Sequence, residues 1–350
     1  MLSFRRELGM YNSENKRRGH AIALFSGGLD SALAILLILK QDIEVTALTF
    51  LTNFGCDITD RSSCGSDPYP MAEKFGFNVK LVHLGDKFIE IVKSPKYGYG
   101  KNMNPCIDCR VLMLKEAKEF MKLVGADFIF TGEVVGQRPM SQMRNTLRMI
   151  EKAAGIDGYL VRPLSAKLLP ETNPEKNGLL DRNLLEDISG RSRKRQMEMA
   201  RQFGLDDYPS PAAGCLLTDI GYSNRLRDLL EHSKQVDIND LSLLRVGRHF
   251  RLDSDTKLIV GRHDEDNNKI EQYARSGQIL LEALGTGSPV AILIGPENSE
   301  TLEVAAAITA RYSDLKHLPE VEVTCTNSPD GKKIKIRPIR SEEAEKYLIR

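Results

Sequence analysis

Ala21-Ile22-Ala23-Leu24-Phe25-Ser26-Gly27-Gly28-Leu29-Asp30-Ser31, running on into the apolar segment Ala32 to Leu39, is the stretch on which the fold turns. Its apolar start predicts a short buried strand, and Ala32–Leu39 predicts a helix. Between them lies a glycine turn. The N–H groups of a strand-to-helix turn, with the positive end of the helix dipole, make a cradle for anions. Gly27 and Gly28 lack a Cβ, so a phosphate can approach the main chain closely. Ser26 and Ser31 add hydroxyl donors, and Asp30 is placed to position Mg²⁺ or to cap the helix. The spacing is neither Gly-x-x-x-x-Gly-Lys-Ser/Thr nor Gly-x-Gly-x-x-Gly.

Outward from this turn, Ile43–Leu51, Asn78–Leu84, Asp127–Thr131 and Tyr159–Val161 read as strands. Met71–Phe75 starts a helix, and Cys109–Val124 carries Val111, Leu112, Leu114, Ala117, Phe120 and Met121 at helical spacing. Asn53–Pro70, rich in Gly, Asp, Ser and Pro, reads as a loop. Strands alternating with helices predict an α/β domain whose parallel sheet is covered on both faces. Such sheets bind ligands beyond the carboxyl ends of their strands, where the Ser26 turn falls.

From Leu241 the texture changes. Leu243–Leu252, Leu258–Gly261 and Val290–Ile294 read as strands, with helices near Ile270–Leu284 and Leu302–Tyr312, a smaller α+β module. The expected organisation is a basic arm over 1–19, the nucleotide domain over 20–232, the second module over 240–325 and a basic tail over 326–350.

A chain of 350 residues, 41% hydrophobic and 28% charged, has the make-up of a soluble protein of two or more modules. No apolar run has the length of a membrane span, and the basic N-terminus has no hydrophobic signal core, so a cytoplasmic protein is expected. The net charge of +1 is no overall nucleic-acid signature. Basic residues nevertheless cluster three times, at Arg5–Arg18, at Arg191–Arg195 and at Lys332–Arg340. Each is either a solvated face or a contact for a phosphate backbone.

Six cysteines in such a chain fit a metal or redox role better than a disulfide framework. Cys106 and Cys109 in Asn104-Pro105-Cys106-Ile107-Asp108-Cys109 place two thiols on one side of a turn at a helix start. That spacing suits chelation or disulfide exchange, and the helix N-terminus favours thiolate. Cys215 lies in a glycine turn, Pro211 to Leu216. Three thiolates can hold a [4Fe–4S] cluster with one open iron. Zinc prefers a fourth ligand, and Cys56 and Cys64 are weaker candidates. A redox-active cysteine pair is the further alternative. Cys325 reads as structural.

Ser26-Gly27-Gly28-Leu29-Asp30-Ser31 resembles the PP-loop, Ser-Gly-Gly-x-Asp-Ser, of the ATP pyrophosphatase superfamily. With Thr131-Gly132-Glu133-Val134-Val135-Gly136-Gln137, Ser141-Gln142 and Arg162-Pro163-Leu164, the chain resembles tRNA 4-thiouridine synthetases. The set Asn104-Pro105-Cys106, Cys109 and Cys215 is similar to the cysteine arrangement of tRNA 2-thiouridylases. Val246–Leu252 and Val260-Gly261-Arg262 resemble the RNA-binding module of NFACT proteins.

The resemblance implies a Rossmann-like PP-loop fold and ATP-dependent thiolation of a tRNA uridine. ATP adenylates a uracil carbonyl oxygen and releases pyrophosphate, and sulfur then expels AMP. Ser26, Gly27, Gly28, Asp30 and Ser31 would hold the phosphates and Mg²⁺. Thr131, Gly132, Glu133 and Gln137 would line the nucleotide pocket. Cys106, Cys109 and Cys215 would hold a sulfide-carrying cluster or work through persulfides, with Asp30 and the three thiols as the catalytic set. The implied partners are tRNA, a sulfur donor (sulfide or a cysteine desulfurase) and a second copy of the chain in a homodimer. The Thr131–Gln142 match leans towards 4-thiouridine, the cysteine placement towards 2-thiouridine. Arg162 reads as a phosphate grip or a surface residue, and His249 as a packed or surface histidine. Two other readings remain. One is PP-loop activation of a small molecule, which as amide synthesis has no use for three cysteines. The other is an RNA-binding adaptor, against which the intact turn argues.

Overall fold

The computed structural model describes residues 18–54, 67–205, 208, 215–233, 235–285, 287–326 and 332–350. The chain forms two compact units, Met1–Thr218 and Asp219–Arg350.

In the first unit β1 (Gly19–Leu24) leads into α1 (Leu29–Leu39), followed by β2 (Ile43–Leu51), α2 (Tyr69–Phe75), β3 (Asn78–His83) and α3 (Gly85–Lys93). Next come α4 (Cys106–Val124), β4 (Phe128–Thr131), α5 (Arg144–Ala154), β5 (Leu160–Val161), α6 (Asn173–Lys176) and α7 (Lys194–Gln202). The five strands form one parallel sheet in the order β3-β2-β1-β4-β5. This is the Rossmann-like architecture predicted from the alternation. The chain moves outward from β1 through β2 to β3, then returns to the other side of β1 for β4. Ser26–Ser31 and Gly132–Gln137 follow the carboxyl ends of β1 and β4.

Every residue of α1 except Asp30 is buried, as its nearly unbroken apolar sequence requires. Met199 and Ala200 of α7 share its core with Ala21, Ala23 and Phe130 of the sheet. The cysteine helix begins at Cys106, earlier than its apolar spacing indicated, because Pro105 stands at its N-cap. Helix α5 buries only Leu147, Ile150 and Ala154, too sparse a stripe to announce itself.

The second unit runs α8 (Ile220–His232), α9 (Ile238–Leu243), β6 (Arg248–Arg251), β7 (Lys257–Val260), α10 (Asp264–Tyr273), β8 (Ile279–Ala283) and β9 (Ala291–Ile294). It closes with α11 (Ser299–Tyr312), β10 (Val321–Thr326), β11 (Lys333–Ile336) and α12 (Ser341–Ala344). Its six strands form an antiparallel sheet, β11-β10-β8-β9-β7-β6, onto which α11 packs Leu302, Ala305, Ala306 and Ile308.

Three expectations change here. Helix α8 falls within the second unit, so the first unit ends at Thr218. The helix expected over Ile270–Leu284 is a helix and then a strand, separated at Gly277, whose φ is 86°. The expected basic tail is structured: β11 pairs with β10, and Ile334, Ile336, Ile339, Tyr347 and Leu348 pack on the core. Its Lys-Ile-Lys-Ile alternation is that of an edge strand with charge on one face. Arg5, Arg6, Lys16, Arg17, Cys56 and Cys64 lie outside the described residues.

Candidate active site

Gly27 sits at φ 74°, a backbone conformation that a side chain would strain. The two serines staple the turn. Ser31 Oγ donates to the Gly28 carbonyl at 2.8 Å, lies 3.2 Å from Ser26 Oγ and accepts the Ser26 N–H at 3.4 Å. No side chain caps α1, so the N–H groups of its first turn are left for an anion.

The end of β4 lies against this turn. A Cβ on Gly132 would stand 2.4 Å from the Ser31 nitrogen and 2.5 Å from the Asp30 carbonyl carbon. Gln137 Nε2 donates to Asp30 Oδ2 at 3.1 Å, while Asp30 Oδ1 is buried with no hydrogen-bond partner. Gln142 closes the following loop, its carbonyl accepting from the Gly136 N–H at 2.8 Å and its Oε1 from the Arg138 N–H at 3.2 Å. Buried Ser165 accepts the Val135 N–H at 3.0 Å and donates to the Ile188 carbonyl at 2.6 Å. The sequence-predicted nucleotide residues are thus brought together.

Glu133 is 3% exposed, and a carboxylate so buried needs partners. Its Oε2 accepts from Arg162 Nε at 3.0 Å and Thr131 Oγ1 at 3.1 Å, and its Oε1 lies 3.2 Å from Arg110 Nε. Burial pushes the carboxyl up, but the Arg110 and Arg162 charges and these hydrogen bonds outweigh it and hold Glu133 below the usual range. Arg162, itself buried, also pairs with Glu151. It is therefore neither a surface residue nor an uncommitted phosphate grip: its charge goes to two carboxylates.

Cys106 opens α4 and Cys109 follows one turn later, on the same helix face. Buried Asp108 accepts the Lys96 and Tyr97 N–H groups at 3.1 and 3.0 Å, fixing the helix start. The Cys215 turn is fastened just upstream. Met103 N–H donates to the Leu217 carbonyl at 3.1 Å and Asn102 Nδ2 to the Thr218 carbonyl at 2.8 Å. Thr218 in turn donates its hydroxyl to the Cys215 carbonyl at 2.7 Å. The three half-buried cysteines are joined in no disulfide. Burial pushes the Cys106 thiol up, and Arg110 and Arg138 pull it partly back. Among the described residues no group of three or more His, Cys, Asp or Glu is gathered closely enough to hold a metal ion. The three thiols as placed therefore do not form a cluster's ligand set.

Elsewhere, Cys325 is buried in β10 and His249 is fully buried, its Nε2 2.8 Å from the Val246 carbonyl. Arg195 is paired with Glu186 and Glu198 at the exposed start of α7. Arg110 and Glu151 were missed from sequence. Only Arg110 carried a signal, standing one helical turn beyond Cys106.

A parallel-sheet domain with a stapled anion turn at its switch point defines a PP-loop nucleotide-binding protein. The family model described as thiamine biosynthesis protein (ThiI) matches residues 16–167, and that of the NFACT protein RNA binding domain matches 247–348. The tRNA-specific 2-thiouridylase MnmA of Leptospira interrogans is 30% identical over 87% of this chain and 79% of its own. A probable tRNA sulfurtransferase of Thermococcus kodakarensis is 28% identical over 42% of this chain and 37% of its own. A 4-thiouridine synthetase solved with RNA and ATP is 20% identical over 53% of this chain and 41% of its own, with a TM-score of 0.37. The chain belongs to the tRNA thiouridylase and sulfurtransferase family. It spans between 34% and 79% of the length of the first curated relatives it matches. Among the described residues no helix is long and apolar enough to cross a membrane.

Proposed function

We propose that this chain uses ATP to activate a carbonyl oxygen of a tRNA uridine and then replaces that oxygen with sulfur. One observation carries the reading: the anion turn packs on Gly132, and the thiol-bearing helix pairs through Arg110 with the next residue, the buried carboxylate Glu133. The open N–H groups of α1, with Ser26, Gly27, Gly28 and Ser31, hold the ATP phosphates. Thr131, Gly132, Glu133 and Gln137 line the nucleotide pocket. Asp30, held by Gln137 and with Oδ1 unpartnered, fits the role of a Mg²⁺ ligand. Adenylation turns the carbonyl oxygen into a leaving group and releases pyrophosphate.

Cys106, Cys109 and Cys215 handle the sulfur. A donor persulfide passes its terminal sulfur to one of these thiolates and leaves as a thiol. That sulfur attacks the activated ring carbon, and the bond to the adenylated oxygen breaks to release AMP. A second cysteine thiolate attacks the carrier sulfur, the S–S bond breaks, and its electron pair goes to the ring as the thiocarbonyl. The resulting cysteine disulfide is reopened by an external dithiol. The family model over 247–348 and the exposed Lys333 and Lys335 of β11 support tRNA contact by the second unit.

Mass spectrometry of digested tRNA from cells with and without the chain is the test. The expected result is loss of one thiouridine, restored by the intact chain and not by Cys106→Ser. The identity of the lost nucleoside distinguishes 4-thiouridine, which the Thr131–Gln142 motif favours, from 2-thiouridine. An unchanged profile in a strain with no other thiolase refutes the proposal. Stoichiometric iron and acid-labile sulfide in anaerobically prepared protein would replace the persulfide route with a cluster.

A further inference from the structure

Two halves of the proposed reaction reside on different elements. The proposed nucleotide site lies at the ends of β1 and β4, and two of the thiols, Cys106 and Cys109, ride on α4. The first turns of α4 are joined to the nucleotide pocket by an ion pair, Arg110 Nε to Glu133 Oε1 at 3.2 Å. Arg110 lies four residues after Cys106, hence on the same helix face. Glu133 directly follows Gly132, which lies on the first turn of α1. On the far side Arg162 and Glu151 hold Glu133 in place. The order Glu151–Arg162–Glu133–Arg110 thus runs from a half-buried anchor, through two buried side chains, to the start of the cysteine helix. Its last link is ionic rather than a directed hydrogen bond, since Glu133 Oε1 has no aligned donor.

We propose that Arg110 is a positioning residue that keeps the sulfur-bearing start of α4 in register with the nucleotide pocket, so that sulfur transfer depends on it and adenylation does not. This rests on the reading of the site as a uridine thiolase. Misplacing a reacting atom by an ångström can cost about 100-fold in rate, so loss of this link uncouples the two half-reactions.

The test compares the full-length chain with Arg110→Met and Arg110→Lys, given tRNA, ATP and a persulfide donor. Single-turnover pyrophosphate release, which reports adenylation, is expected in Arg110→Met within about threefold of the unaltered chain. Thiouridine formed per pyrophosphate is expected to fall about tenfold or more, with rescue by Arg110→Lys because the link is ionic. Amide hydrogen exchange over 105–112 is expected to speed up in Arg110→Met and not in Arg110→Lys. An unchanged thiouridine-to-pyrophosphate ratio in Arg110→Met overturns the proposal, as does unchanged exchange. If the unaltered chain forms no thiouridine, the thiolase reading fails and the positioning role falls with it. The exchange data then still decide whether the Arg110 link exists.

Discussion

Replacing Gly132 with alanine would set a methyl carbon 2.4 Å from the Ser31 nitrogen, 2.5 Å from the Asp30 carbonyl carbon and 2.6 Å from Ser31 Cα. All three are backbone atoms at the start of α1, so no side chain can swing aside. Ordinary contact begins at 3.4 Å, which requires the end of β4 and the turn to separate by about 1 Å (3.4 less 2.4). Overpacking of this kind costs about 1–3 kcal/mol, and the rigid backbone on both sides puts Gly132→Ala near the upper end. The same displacement moves Glu133 and the Asp30–Gln137 contact, so ATP binding weakens along with stability. Gly28→Ala is the contrasting variant. Its added carbon meets only Ser26 Oγ, at 3.5 Å, and φ is an ordinary −80°. It should fold with a loss of about 0.5–1 kcal/mol, yet crowd an incoming phosphate. Chemical denaturation and equilibrium ATP titration read both variants. If Gly132→Ala lies within about 0.5 kcal/mol of the unaltered chain and binds ATP equally well, the proposed packing of β4 on the turn is wrong.

Arg162→Met removes the buried partner of Glu133, leaving that carboxylate only Arg110 and Thr131, and should cost about 3 kcal/mol in denaturant unfolding. Adding Glu133→Gln should recover part of that loss, and a single-variant cost below about 1 kcal/mol would discount the buried pair. His249 is held well below its ordinary pKa of 6.5, chiefly by burial and then by the Lys257 and Arg225 charges. The unfolded chain therefore binds the proton first. Stability should fall by about 1.4 kcal/mol per pH unit as pH drops below 6.5, until the folded histidine titrates. His249→Gln should flatten that slope, and an identical slope in the variant would reject the assignment.

Much of the candidate site was legible before any tertiary contact was known. Ser26–Ser31 stood out as a candidate because a phosphate cradle needs glycines, hydroxyls and a following helix within a few consecutive residues, and local patterns survive in one dimension. The parallel sheet was legible for a similar reason, since buried strands and covering helices differ in apolar periodicity. The C-terminal segment was misread because Lys-Ile-Lys-Ile looks basic before it looks alternating.

What tertiary structure alone decided is how distant residues share charge. Glu133, Arg110, Arg162 and Glu151 are dispersed over α4, the loop after β4, the end of β5 and α5. No local rule predicts which arginine meets which buried carboxylate. Arg162 read as a phosphate grip or a surface residue until the fold placed it between two acids, and the Cys215 segment is tied down by the bonds of residues 217–218 to 102–103. The sequence determined the reactive groups, because residue type and short spacing set their chemistry. The fold determined their alliances, because burial makes every charge depend on partners that the chain brings from far away.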